Sequence, residues 1–183
     1  MLPSLTGDDV WRHPLVRDAF DGRLRHRLLT AADALPALLD ELDDASVATA
    51  HGDACTANLL VAGDRDALVM VDLGFCGRAP IGTDLGQLIL GEAQAGQHQA
   101  TDLPDLEAAC LPAYLAGIHV EGGTADLTRV RRTQAALMTV FSALPSIPIE
   151  HLDDEPTPQL RRLFHGRAAI ARFVLDLLDD TRP

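Results

Sequence analysis

The sequence contains no lysine, so all 15 of its basic side chains are arginines. The 27 acidic side chains outnumber them, and the formal net charge is −12. Such a charge repels nucleic-acid phosphates and anionic lipid headgroups. We therefore expect no nucleic acid and no membrane among the main partners, whereas a cationic small molecule is compatible with the charge.

Two further absences concern the cellular compartment. No apolar run approaches the roughly 20 residues that a membrane-spanning helix needs. The N-terminus lacks the basic and apolar segments of a secretory signal. The cysteines, Cys55, Cys76 and Cys110, are odd in number and do not have the spacing of a metal site. These absences predict a protein of the reducing cytoplasm.

Apolar residues recur at helical spacing along most of the 183 residues, a length that suits one domain. The predicted helices cover residues 8–20, 23–34, 36–42, 83–92 and 104–119, then a helix from a cap at 124 or 126 to 144, and 159–178. Residues 47–50 are predicted to form a short buried strand, and residues 74–82 to be irregular. The predicted fold class is mainly α (α+β), with a single domain over 1–183, a core segment at 47–90 that contains the polar residues considered next, and a helical remainder at 102–180.

A β-hairpin is predicted at the active edge of this core. Apolar residues 59–62 and 67–71 flank a polar turn at 63–66. Asn58 precedes the first strand and Asp72 follows the second, so the hairpin should bring these two side chains side by side, with Asp53 one loop upstream. An aspartate and an asparagine that share a hard cation, beside a second aspartate that accepts a proton, are what phosphoryl transfer requires.

Each of these three residues also has a purely structural interpretation. Asp53 would then bond local backbone amides in a turn, as aspartate after glycine often does. Asn58 would close a loop before a strand, and Asp72 would cap the turn after one. The spacing of all three around one hairpin favours the chemical interpretation.

The stretch resembles kinase-fold enzymes, and four anchors carry the resemblance. His51-Gly52-Asp53 followed by Asn58 is similar to the catalytic loop H-x-D-x-x-x-x-N, and Asp72-Leu73-Gly74 is similar to the metal-binding D-x-G. The continuation G-R-A-P-I-G-T-D-L-G-Q-L, which contains Asp84, resembles the aminoglycoside phosphotransferase and choline kinase-like branch. Four anchors in order, with a hairpin between them, are specific.

The resemblance implies the large, helical C-terminal lobe of a protein-kinase-like fold and a small-molecule kinase activity. The γ-phosphoryl group of ATP or GTP would pass to a hydroxyl group of the acceptor, with Mg²⁺ as cofactor. Asp53 would orient and deprotonate that hydroxyl, and Asn58 and Asp72 would hold the metal. His51 would brace the loop by hydrogen bonding. Asp84 would cap the helix that begins near residue 85 and bond back to the loop.

The role of Arg78 stays open at this point, because either a phosphate or Asp84 would be a suitable partner for its guanidinium group. Kinase-fold enzymes hold the nucleotide phosphates with a strand lysine in a small N-terminal lobe. This chain has no lysine and no G-x-G-x-x-G, and 50 residues precede His51. We expect the small lobe to be missing and the chain alone to have little activity. An apolar patch near the hairpin and residues 47–50 would then favour self-association.

Two other functions are compatible with these residues. The first is a non-catalytic, pseudokinase-like binding or regulatory module, which the missing lysine favours and the intact Asp53, Asn58 and Asp72 disfavour. The second is a metal-dependent phosphoesterase, which normally needs more histidine ligands than this loop contains.

Overall fold

Helices and two small β-sheets make up the fold in a computed structural model that describes Leu5, residues 7–63 and residues 68–182. The elements are α1 (Asp8–Arg12), α2 (Pro14–Ala19), α3 (Gly22–Asp33), α4 (Leu35–Asp43), β1 (Val47–Ala50), β2 (Leu59–Val61), β3 (Leu68–Met70), β4 (Gly77–Pro80), α5 (Thr83–Gln94), α6 (Leu103–Val120), α7 (Leu127–Met138) and α8 (Pro158–Asp180). The prediction of a mainly α fold with a small β component is confirmed. Within the described ranges, no helix is both long enough and apolar enough to cross a membrane.

The chain divides into two compact units. The first contains Met1–Asp40 and Ala135–Pro183, and the second contains Glu41–Gln134. All of the predicted site residues belong to the second unit. The expected single domain over 1–183 stays a prediction.

The long helix α8 provides most of the core of the first unit. Thr157 caps its N-terminus by accepting a hydrogen bond from the Leu160 amide at 3.2 Å, and Pro158 occupies the first turn, where its missing N–H costs nothing. One face of α8 is fully buried and packs against α2. Two carboxylates near its C-terminus, Asp176 and Asp179, accept bonds from Arg27 of α3 at 2.7 and 2.8 Å.

Two helix predictions in this unit need correction. Residues 8–20 form α1 and α2 rather than one helix, because Pro14 disfavours helical backbone at His13, which is extended (φ −60°, ψ 133°). The helix predicted to reach residue 144 is α-helical only as far as Met138, the end of α7. Thr139–Ala143 then form a π-helical turn. The Thr139 hydroxyl donates to the Ala135 carbonyl at 2.7 Å and so competes with the backbone donor of an ordinary α-helical turn.

The second unit contains both sheets, and each consists of two antiparallel strands. β2 pairs with β3 in the register Leu59↔Met70 to Val61↔Leu68, so the predicted hairpin is confirmed. Part of the predicted turn (64–66) and residue 67 lie outside the described residues. β1 pairs with β4 from Val47↔Pro80 to Ala50↔Gly77. The irregular conformation predicted for 74–82 is therefore wrong for 77–80, because pairing with a strand 30 residues away imposes the extended backbone.

The burial predicted for the 47–50 strand is also wrong. Only Ala50 is buried in β1, because the strand lies in a sheet of two strands whose faces stay largely open. The hairpin is open as well: the exposed apolar residues around it are Leu60, Val61, Leu68, Val69, Met70, Leu73 and Phe75. An exposed apolar surface therefore lies where the sequence predicted one.

Candidate active site

Asp84 binds the backbone of the loop formed by residues 51–58, here called the 51–58 loop. Its Oδ2 accepts a hydrogen bond from the His51 amide and its Oδ1 one from the Gly52 amide, both at 2.9 Å. Because both oxygens face the loop, Asp84 does not cap α5; the N-cap position is Gly82, without a side-chain bond. The predicted bond from Asp84 back to the loop is therefore confirmed, whereas its predicted capping role is wrong. Asp84 instead lies in the first turn of α5, where the helix dipole favours a negative charge.

His51 is buried and joins the loop to the exit of the hairpin. Its Nε2 lies 2.8 Å from the Val71 carbonyl oxygen, and its Nδ1 accepts a bond from the Asp53 amide at 3.3 Å. Since Nδ1 is the acceptor, Nε2 carries the hydrogen and donates to Val71. The imidazole in this tautomer therefore faces backbone groups on both sides, which is a bracing geometry.

Replacing His51 with alanine is expected to lower the free energy of unfolding by about 1–3 kcal/mol, because the Val71 carbonyl and the Asp53 amide lose their partner in a buried site. Chemical denaturation followed by circular dichroism measures the change. His119→Ala is the matched control, since His119 is exposed on α6 of the same unit and should change stability by less than about 0.5 kcal/mol. Equal stability of the two variants would contradict the bracing role.

Asp53 and Asn58 contact each other across the 51–58 loop. The Asn58 Nδ2 donates to the Asp53 backbone carbonyl at 2.9 Å and to its Oδ2 at 3.1 Å. A 3₁₀ turn, Thr56–Asn58, orients the asparagine, and the Asn58 amide closes this turn on the Cys55 carbonyl at 3.0 Å. These two bonds use the Nδ2 of Asn58, so its Oδ1 is not engaged by Asp53 and is of the chemical type that accepts a cation.

Asp72 follows the hairpin in a left-handed conformation that is uncommon for residues other than glycine, although aspartate adopts it more often than most. The Val71 amide donates to the Asn58 carbonyl at 3.0 Å, so the two ends of the hairpin are joined directly. Asp72 itself has φ 58° and ψ 60°, the only positive φ of a non-glycine residue in the described part of the chain. A left-handed aspartate costs roughly 1–2 kcal/mol, and such strain is typical of functional sites. Its side chain is exposed.

These donors can be compared with the needs of different metals. Among the described residues, no group of three or more histidine, cysteine, aspartate or glutamate side chains is arranged to hold a metal ion. A zinc site would need such a group, whereas Mg²⁺ binds one or two protein oxygens and takes its other ligands from water and phosphates. The carboxylate of Asp72 and the amide oxygen of Asn58 fit Mg²⁺ in chemical type.

Arg78 lies on β4, opposite Thr49 of β1, and its side chain is exposed. Among the described residues, Arg78 forms no ion pair with Asp84, and both carboxylate oxygens of Asp84 bind loop amides. The other alternative, a phosphate as the partner of Arg78, stays a prediction.

Two contacts near the site involve residues that the sequence pattern does not single out, Gly52 and Tyr114. Gly52 has φ +83°, and a Cβ added there would lie 2.9 Å from Phe75 Cβ, 3.0 Å from its carbonyl carbon and closer still to its carbonyl oxygen. The loop thus packs directly on the turn Leu73–Phe75. Tyr114 of α6 accepts a bond from the Gly82 amide at 3.1 Å. A glycine between His51 and Asp53 was a usable signal for the first contact, but nothing in the helical pattern distinguished Tyr114.

A family model described as "phosphotransferase enzyme family" matches residues 5–117, which is more than half of the chain and includes the whole 51–58 loop, the hairpin and Asp84. No curated protein and no solved structure matches the chain.

Proposed function

This chain belongs to the phosphotransferase enzyme family, and from that premise we propose that it transfers the γ-phosphoryl group of ATP or GTP to a hydroxyl group of a small-molecule acceptor. Membership implies phosphotransferase activity in general; the nucleotide, the metal and the acceptor are the finer part of the proposal. One observation carries the proposal. The Asn58 side chain bonds Asp53, and the Asn58 carbonyl accepts a bond from the amide of Val71, the residue before Asp72. The net charge of −12 favours a cationic acceptor.

Asp53 is the residue that would act on the acceptor. One carboxylate oxygen, Oδ2, accepts the bond from Asn58, which restricts rotation of the side chain. Its other oxygen is then oriented to accept the proton of the acceptor hydroxyl as the oxygen of that hydroxyl attacks the phosphoryl group. Because the protein does little covalent chemistry on a phosphoryl group, holding Asp53 in one position is a large part of its contribution.

Asn58 and Asp72 would hold Mg²⁺ through an amide oxygen and a carboxylate. When bound, the ion neutralises charge on the phosphate oxygens. The direct bond between the Val71 amide and the Asn58 carbonyl keeps Asn58 and Asp72 at the same end of the hairpin. Arg78, exposed on β4, is available for a phosphate group.

A second candidate function is nucleotide binding without transfer. The absence of lysine favours it, because kinase-fold enzymes hold the α- and β-phosphates with a lysine side chain. Under this function, the chain would bind the metal and the nucleotide but would not transfer a phosphoryl group. The exposed apolar residues of the hairpin would then serve contacts with another copy of the chain or with another protein.

Manganese with ADP is expected to broaden the backbone amide NMR signals of Asn58 and Asp72, because a paramagnetic ion held by their oxygens relaxes nearby nuclei. Asp72→Ala should abolish the broadening, since it removes the carboxylate that supplies the charge of the site. Asp105→Ala is the control, because Asp105 is an exposed carboxylate on α6. Broadening confined to α8 would show that the metal site is assigned to the wrong residues. In a separate sample with ATP, Mg²⁺ and an acceptor alcohol, phosphorylation of the alcohol would exclude the second candidate.

A further inference from the structure

Tyr114 forms one hydrogen bond that connects α6 to the start of α5. Its hydroxyl oxygen accepts from the Gly82 amide at 3.1 Å. The side chain is half-buried, and it is the only tyrosine of the chain. The proposed chemistry assigns no role to this residue.

Gly82 also packs closely against Val130 of α7. Its φ of +104° is in the region that favours glycine, and the residue is buried. An added Cβ would lie 3.4 Å from the Val130 carbonyl oxygen and 3.5 Å from the Val130 Cγ1. A buried amide needs a hydrogen-bond acceptor, and the Tyr114 hydroxyl provides it. The peptide of Gly82 therefore has a single well-defined position between Tyr114 and α7.

The position of Gly82 determines the position of Asp84. The Gly82 carbonyl accepts the first bond of α5, from the Leu85 amide at 3.2 Å, and Asp84 lies in that same turn. From there its carboxylate binds the His51 and Gly52 amides. Asp84 also acts on the phenol: burial raises the pKa of Tyr114, the Gly82 amide opposes this by favouring the phenolate, and the Asp84 carboxylate raises the pKa further.

We propose that Tyr114 is a positioning residue of the active site: by holding the Gly82 amide, its hydroxyl sets the place from which Asp84 binds the 51–58 loop and so aligns Asp53. The role of the loop in catalysis rests on the proposed function, whereas its attachment to Tyr114 does not. The chain of contacts runs from Tyr114 to Gly82, then to Asp84 and to the two loop amides next to Asp53.

Tyr114→Phe tests the attachment, because it removes the hydroxyl and leaves the ring. Hydrogen exchange of the His51 and Gly52 amides is expected to become about 2- to 10-fold faster, the range that the net strength of one hydrogen bond gives. The control Thr139→Val deletes a buried hydroxyl in the first unit and should leave these two amides unchanged. In an Asp84→Asn background, Tyr114→Phe should add little, because the two residues act in series. Parental exchange rates in Tyr114→Phe, or fully additive effects, would overturn the proposal.

Two further measurements distinguish alignment from simple structural support. Phenolate absorbance reports on Tyr114 alone, and Asp84→Asn should lower its pKa because a nearby carboxylate that raises it is removed. An unchanged pKa would contradict the proximity of Asp84 to the phenol. In the form of the protein that turns over, Tyr114→Phe should lower kcat several-fold while KM for the nucleotide stays the same. An unchanged kcat would overturn the alignment of Asp53. If no form of the protein transfers a phosphoryl group to an acceptor, the proposed function fails, and the exchange rates alone decide whether Tyr114 holds the loop.

Discussion

Replacing Asp53 with asparagine is expected to lower kcat by about 10²–10⁴-fold, the usual contribution of a positioned general base. The amide cannot take the proton of the acceptor hydroxyl, but its oxygen can still accept the bond from Asn58. The variant should therefore fold normally and bind the nucleotide with nearly unchanged affinity. In a form of the protein that has transferase activity, the rate of phosphoryl transfer from ATP to an acceptor alcohol gives kcat. Calorimetric titration gives the nucleotide affinity.

The matched control for this variant is Asp44→Asn. Asp44 is an exposed carboxylate of the same unit, so its replacement makes the same change of charge without touching the loop. Its kcat should equal that of the parent. Parental turnover in Asp53→Asn would remove Asp53 from the mechanism, and a large loss of nucleotide affinity would mean that the residue acts in binding instead.

Replacing Gly52 with alanine should destabilise the second unit by roughly 2–5 kcal/mol, because two penalties add. The φ of +83° is costly for any residue with a Cβ, and the new methyl group would overlap the backbone of Phe75. Backbone atoms cannot move aside as a flexible side chain can. The 51–58 loop or the turn Leu73–Phe75 must shift, so activity should fall together with stability.

Two other glycines separate these penalties. Gly63 has φ +58°, but no atom of the described residues lies within 4 Å of an added Cβ, so Gly63→Ala should cost only about 1–2 kcal/mol for the backbone conformation. Gly166 lies inside α8, where an added Cβ would likewise meet no described atom within 4 Å, so Gly166→Ala should stabilise by up to about 1 kcal/mol. Denaturant midpoints of the three variants give the comparison. If Gly52→Ala costs no more than Gly63→Ala, the overlap with Phe75 does not occur.

The variants of Asp84, His51 and Gly52 each remove a different support of the 51–58 loop. Asp84 holds its first two amides, His51 joins it to Val71, and Gly52 lets it lie against Phe75. A catalytic carboxylate is most effective when its supporting contacts leave it little freedom. The arrangement around Asp53 has this property, since Asn58 also restrains the carboxylate itself.

The local features of the chain follow from the sequence. Helices such as α3 and α8 were predicted within one or two residues, because apolar spacing, caps and prolines act on neighbours along the chain. The hairpin was predicted from two apolar runs and the polar turn between them. The order of the four anchors likewise identified the family that the matching family model supports. All of these signals lie within short stretches of residues.

Only the tertiary structure shows how residues that are far apart in the sequence come into contact. The bond from Asp84 to the His51 amide, 33 positions away, is expected only from the family resemblance, because such a contact leaves no periodic trace in the sequence. The bond between Tyr114 and the Gly82 amide, 32 positions away, is not expected from the sequence at all. The strand β4 forms because β1 supplies the missing hydrogen-bond partners, although its own residues, Gly77–Pro80, have little preference for extended backbone. The left-handed backbone of Asp72 likewise has no signal in the sequence. Local preferences of a few tenths of a kcal/mol to about 1 kcal/mol are overridden wherever burial and hydrogen bonding from distant residues contribute more.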